Sequence, residues 1–136
     1  MAEAVHRFRV PVEPADIDRQ NHVNNVAYLR IIQDAAVAHW RVIAPDEVRA
    51  VVSWVVRRHE VDYHKPAVLG DELEVRTWVG TPTAATWERF TEIVRAGDGA
   101  VLVTARTVWV LIDAVTGRPK RIDPAFAALF PKADRT

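Results

Sequence analysis

The chain has 136 residues, enough for one domain with a sizeable core and little more. Apolar residues make up 49% and charged residues 26%, a balance that excludes global disorder. The formal net charge is zero, which argues against a dedicated nucleic-acid binder, and the absence of cysteine removes disulfides, thiolate metal sites and a Cys nucleophile together.

The first ten residues carry charges where a secretory signal needs its apolar core, and no apolar run approaches a membrane span. The expectation is a soluble cytoplasmic protein without a membrane partner. Residues 1–136 are expected to form a single domain.

The first strand is predicted from Val5 to Val12, where Phe8, Val10 and Val12 alternate with Arg7, Arg9 and Pro11. Pro11 has no N–H, so this strand lies at an edge or ends there. A polar stretch from Glu13 to about Asn25 follows. Val26 to Val42 reads as a helix whose polar residues Arg30, Gln33, Asp34 and Arg41 share one narrow stripe, so other structure is expected to wrap most of its girth. Asn24 or Asn25 caps its start, and Pro45 lies just past its end.

Val51–His64, Asp71–Gly80, Thr86–Arg95 and Ala100–Ile112 are rich in Val, Thr, Trp and Phe and read as strands. The turns between them are too short for parallel crossovers, so an antiparallel meander is expected, with the last strand central. Asp123-Pro124 opens a short helix to about Phe130. The fold class is α+β: a sheet of about five antiparallel strands wrapped around one central helix. The other face of such a sheet, with Trp and Val exposed on it, invites dimerisation.

The densest run of functional groups is Asp16-Ile17-Asp18-Arg19-Gln20-Asn21-His22-Val23-Asn24-Asn25, between the first strand and the helix. A helix N-terminus offers unpaired N–H groups and a positive dipole end, which stabilise a developing oxyanion. A carboxylate just upstream attacks a carbonyl carbon or activates water toward it. Asp16 reads as a residue that caps or pins the loop. His22 is either a hydrogen-bonded loop histidine or a catalytic or orienting group, and Asn24 and Asn25 combine capping with backbone N–H donation.

Alternatives are weaker. Ser53 is the only serine and no Gly-x-Ser-x-Gly elbow surrounds it. His6, His22, His39, His59 and His64 show no metal-ligand spacing, so no metal is expected. No phosphate-cradling glycine loop is present. Arg57-Arg58-His59 with Lys65 is the densest basic cluster, read as a solvated strand end or as a contact for nucleotide phosphates. Trp54, Trp78, Trp87 and Trp109 read as core or dimer interface before pocket walls.

The run Asp16 to Tyr28-Leu29 resembles the signature of hotdog-fold thioesterases of the 4-hydroxybenzoyl-CoA thioesterase type, and that of plant acyl-carrier-protein thioesterases. Val61-Asp62-Tyr63 with Lys65-Pro66-Ala67 and Gly70 to Leu73 is similar to the family's second strand and turn. Val108 to Asp113 with Thr116 to Pro119 is similar to its last strand and turn. The resemblance implies a hotdog fold and hydrolysis of an acyl-CoA or acyl-carrier-protein thioester. It implies Asp18 as catalytic carboxylate, the N–H of Asn25 as oxyanion donor and His22 near the reaction centre. Asn24, Tyr28, Arg57 and Lys65 are assigned to substrate binding.

The only coenzyme expected is the coenzyme A carried by the substrate. The expected assembly is a homodimer or homotetramer. The chain departs from the family at Gln20, where plant-type enzymes carry a catalytic Asn, at Asn21, where many bacterial relatives have Gly, and at Gln33, where a Glu is usual; Asp62 aligns loosely with a further acid of the plant site. The remaining readings are a hotdog hydratase or dehydratase, and a non-catalytic acyl-CoA sensor. The first is opposed by the Asp-x-Asp and Asn-Asn pattern.

Overall fold

A computed structural model describes residues 3–132. Strand β1 (His6–Pro11) leads through a 3-10 turn (Pro14–Asp16) and a tight loop into helix α1 (Asn25–Ile43). A one-turn helix α2 (Asp46–Arg49) follows, then β2 (Val52–Tyr63), β3 (Glu72–Thr83), β4 (Thr86–Arg95), β5 (Val101–Asp113) and helix α3 (Pro124–Ala127). The 3-10 turn and α2 add to the expected elements, and α3 is shorter than expected.

The sheet is antiparallel with order β1-β3-β4-β5-β2. This corrects the expected meander. β2 does not pair with β3; it pairs with β5 from Val52↔Asp113 to Tyr63↔Val103. The segment 64–71 has the length of a hairpin loop, yet it carries the chain across the sheet end to β3. β5 lies inside the sheet, as expected, and β1 is an edge strand whose last residue is Pro11. β2 is the other edge.

Alternation along β3, β4 and β5 sends Leu73, Val75, Ile93, Val103 and Ala105 against Ala27, Tyr28, Ile31, Ile32 and Ala35 of α1. The sheet covers one side of α1 only. Arg30, Gln33, Asp34 and Arg41 lie on the open side as expected, but so do the exposed Val26, Val37 and Val42, so the helix is less wrapped than its composition suggested.

The outer sheet face also differs from expectation. It carries ion pairs, Arg76 with Glu74 and Glu92, and Arg106 with Glu60 and Glu88. Trp78 stacks on Phe90. The exposed apolar residues of the strands include Val55 and Tyr63 of edge β2. Trp40, Trp54, Trp87, Phe126 and Phe130 gather in one aromatic cluster that seats α3 at the C-terminal end of α1.

Candidate active site

The loop before α1 is a miniature hairpin. Asn24 N–H donates to Asp16 O (2.9 Å), Ile17 bridges Val23, and Asp18 N–H donates to His22 O (2.8 Å). Ile17 and Val23 face inward and Val23 is buried. Opposed residues of an antiparallel pair share a face, so Asp18 and His22 stand side by side on the other face. Asn21 takes φ 61°, the left-handed conformation that the turn demands and that Asn tolerates where a relative uses Gly.

Asp16 is the pin. It is buried, accepts from Glu13 N–H (3.2 Å) and pairs with Arg30 (2.9 Å). Asp18 is exposed at the rim of the loop. Its Oδ1 accepts from the N–H groups of Gln20 (2.8 Å) and His22 (3.3 Å), which fixes the carboxylate. Its Oδ2 has no hydrogen-bond partner among the described residues. The His22 imidazole is half-buried and likewise has none.

Asn24 is the N-cap of α1, its Oδ1 accepting from Ala27 N–H (2.8 Å). Asn25 is the first helical residue, and its N–H has no acceptor among the described residues. Asp18, His22 and an open amide therefore meet at one helix N-terminus. The positive end of α1 favours negative charge at that spot.

The site is held from below by segment 64–71. Val23 N–H donates to Ala67 O (2.9 Å) and Ala67 N–H donates to the Tyr28 hydroxyl (3.0 Å). Tyr28 is buried, and burial raises its phenol above the ordinary value. Tyr28 thus ties the strap to the helix; the structure gives its hydroxyl to Ala67.

Lys65 begins this strap and is exposed. Arg57 is the bulge residue of β2, eight residues away, so the two stand roughly 25 Å apart in an extended chain. They do not form one patch in a protomer. Asp62 is exposed on β2.

Sequence reasoning missed a second constellation, at the other end of α1. Arg89 is 5% exposed and His39 is fully buried. Arg89 Nη1 donates to His39 Nδ1 (3.0 Å) and to Thr77 Oγ1 (3.0 Å), and His39 Nε2 donates to Glu3 O (3.0 Å). Burial lowers the guanidinium to about 10, still charged at neutral pH. Burial and then the charge of Arg89 lower His39 to about 4, so it is neutral.

The signal was present in β4. Trp87, Arg89, Thr91 and Ile93 occupy its inward phase, and an arginine there is out of place in an apolar layer. Gln33, Trp40, Trp54, Trp87, Arg89 and Trp109 line a cavity of about 320 Å³ beside this pair. Three of the four strand tryptophans are therefore cavity walls.

Among the described residues no group of three His, Cys, Asp or Glu side chains is placed to hold a metal ion. No helix among them is long and apolar enough to cross a membrane.

A five-stranded antiparallel sheet curled on one central helix, with its polar turn at the helix N-terminus, is the hotdog fold of solved thioesterases. The family model of the thioesterase-like superfamily matches residues 12–130, and the chain belongs to that superfamily: it is a thioester hydrolase.

The acyl-CoA thioester hydrolase YbgC of Escherichia coli is 26% identical over 133 residues, covering 96% of this chain and 98% of that one. A thioesterase from Thermus thermophilus, solved in complex with coenzyme A and Zn, has a TM-score of 0.81 at 28% identity, over 93% of this chain and 97% of that one. The chloroplastic acyl-[acyl-carrier-protein] hydrolase FATB3 of Cuphea viscosissima is 23% identical over 78% of this chain, which spans only 27% of that enzyme's length.

Proposed function

We propose that the chain hydrolyses acyl-CoA, with Asp18 as the reacting carboxylate. The observation that carries this reading is the Asp18 carboxylate beside an open helix N-terminus, one oxygen clamped by two backbone N–H groups and the other without a partner among the described residues. Coenzyme A is favoured over acyl carrier protein because the relative matched over nearly its whole length is named an acyl-CoA thioester hydrolase.

In this reading the thioester carbonyl oxygen sits against the N–H of Asn25, where the dipole of α1 stabilises the tetrahedral oxyanion. Asp18 Oδ2 attacks the carbonyl carbon or takes a proton from the water that does so. The C–S bond breaks, the thiolate takes a proton, and water supplies the second oxygen of the acid. His22 stands beside Asp18 and donates to or orients the leaving group. Asn24 holds the helix end in register. Lys65 meets a phosphate of coenzyme A at the rim, while Arg57 reaches a phosphate only across a subunit boundary.

The assembly in this reading is a homodimer formed along β2. Among the described residues that edge has an unpaired ladder and exposes Val55 and Tyr63, and α1 exposes Val26 and Val37. The substrate has then to reach a site that one protomer leaves open.

The test is release of free thiol from an acyl-CoA panel by wild type and by Asp18→Asn. The amide keeps an oxygen for the two N–H groups but loses the charge. Wild type should hydrolyse at least one acyl class, and the variant should lose roughly a hundredfold or more of kcat. A wild type inert on every acyl class sinks the reaction. A fully active Asp18→Asn sinks the site.

A further inference from the structure

The cavity at the far end of α1 is short of negative charge. Arg41, Arg49 and Arg89 all line it. Arg89 spends Nη1 on His39 and Thr77; its Nε and Nη2 have no partner among the described residues, although the residue is only 5% exposed. Among the described residues, the fully buried side-chain polar atoms without any partner are Arg49 Nε and Trp109 Nε1, and both belong to this same wall.

All of these unpaired atoms are donors. The acid in the wall, Glu88, is bound by Arg106 (2.9 Å) and by Thr81 N–H (3.3 Å) on its own side of the strand. His39 is neutral and already accepts from Arg89, and Asp46 is taken up by Arg49 at the surface. A buried cation without a counter-ion is costly, and a cluster of unmet donors has one chemical complement: an acceptor that carries charge.

The rest of the wall is apolar. Trp40, Trp54, Trp87 and Phe130 surround the donors. Inorganic phosphate would satisfy the arginines and leave these rings facing empty space. A carboxylate on an apolar or aromatic body fills both needs within about 320 Å³.

The cavity follows α1 from Gln33 to Arg41, and α1 is the helix whose first amide receives the thioester in the proposed reaction. At 1.5 Å per residue these positions lie about 12 to 24 Å along the axis from Asn25. We propose that the acyl group of the substrate ends in a carboxylate, and that Arg89, with Trp109 Nε1, is the specificity determinant that receives it. This assignment depends on the thioesterase reading for its route into the cavity, but the carboxylate site itself does not.

Two experiments separate the two claims. The first measures kcat/KM on ω-carboxyacyl-CoA thioesters of several lengths, each against the plain acyl-CoA of the same length. At the matching length the carboxylated substrate should lead by about tenfold or more, the worth of one charge-assisted hydrogen bond. Arg89→Met should bring that ratio close to one, and Trp109→Phe should lower it by less. Preference for the plain chain at every length overturns the proposal.

The second needs no turnover and no variant. Intrinsic tryptophan fluorescence, with Trp40, Trp54, Trp87 and Trp109 in the wall, is titrated with a medium-chain carboxylic acid and with the alcohol of the same chain. The acid should saturate at about a tenfold lower concentration. Equal response to acid and alcohol overturns the carboxylate site even if thioesters are hydrolysed. A selective response to the acid, with no thioester hydrolysed, keeps the site and removes the thioesterase reading.

Discussion

Lowering the pH from 7 to 5 should destabilise this protein through His39. Arginine only donates, so its bond to His39 Nδ1 places the imidazole proton on Nε2, where it meets the Glu3 carbonyl. Protonation would turn Nδ1 into a donor facing a donor, in a fully buried position. Burial first, then Arg89 and His6, lower the folded-state value to about 4, against the upward pull of the Glu3 hydrogen bond. The unfolded chain titrates near the free-peptide value of about 6.5.

The folded value lies below the unfolded one, so the unfolded state binds the extra proton first. The contribution of His39 is fully present above about pH 6.5 and is lost as the pH falls toward about 4. Integrating between those values, the step from pH 7 to pH 5 costs about 2 kcal/mol from this residue alone. His6 and His59 are also lowered by burial and add in the same sense.

The assay is urea unfolding followed by tryptophan fluorescence at pH 7, 6 and 5, for wild type and for His39→Gln. The glutamine offers an oxygen to Arg89 and cannot titrate. It should be the less stable protein at pH 7, yet lose about 2 kcal/mol less than wild type on going to pH 5. Equal slopes in the two proteins refute the assignment of acid sensitivity to His39.

Two further expectations concern the frame of the candidate site. Tyr28→Phe removes the acceptor of the Ala67 N–H, a buried donor with nowhere to turn, and should destabilise by about 1–3 kcal/mol in chemical denaturation. Ala67 O also holds Val23, so the same variant should make amide hydrogens of residues 18–24 exchange faster, whereas Val37→Ala on the exposed side of α1 should not. Asn24→Ala removes the cap on Ala27 N–H and should cost about 1 kcal/mol, read as a lower urea midpoint at unchanged slope.

Much of the site was legible before any coordinates, because it is local. Asp16, Asp18, Asn21, His22, Asn24 and Asn25 follow one another closely along the chain, and turn, cap and helix start act on neighbours in sequence. Asp16 is the buried pin, Asn21 takes the left-handed turn and Asn24 caps the helix, each as its chemistry suggested. That Asp18 keeps one oxygen free, and that Tyr28 gives its hydroxyl to Ala67, emerge only from the folded loop and from contacts between segments remote in sequence. Arg57 and Lys65 look like one basic cluster along the chain, but an extended strand carries them apart.

The sequence by itself determined the elements: alternation marked the long strands, the near-apolar run with its polar stripe marked α1, and the Asp-Asn-rich turn marked the helix end that concentrates charge. Only the tertiary structure decided strand order and the far cavity. Pairing β2 with β5 rather than β3 depends on closing a sheet around a helix, which no local pattern encodes. The meeting of Arg89, His39, Thr77 and Trp109 joins four elements through side chains remote in sequence, and it exists only once the sheet has wrapped the helix.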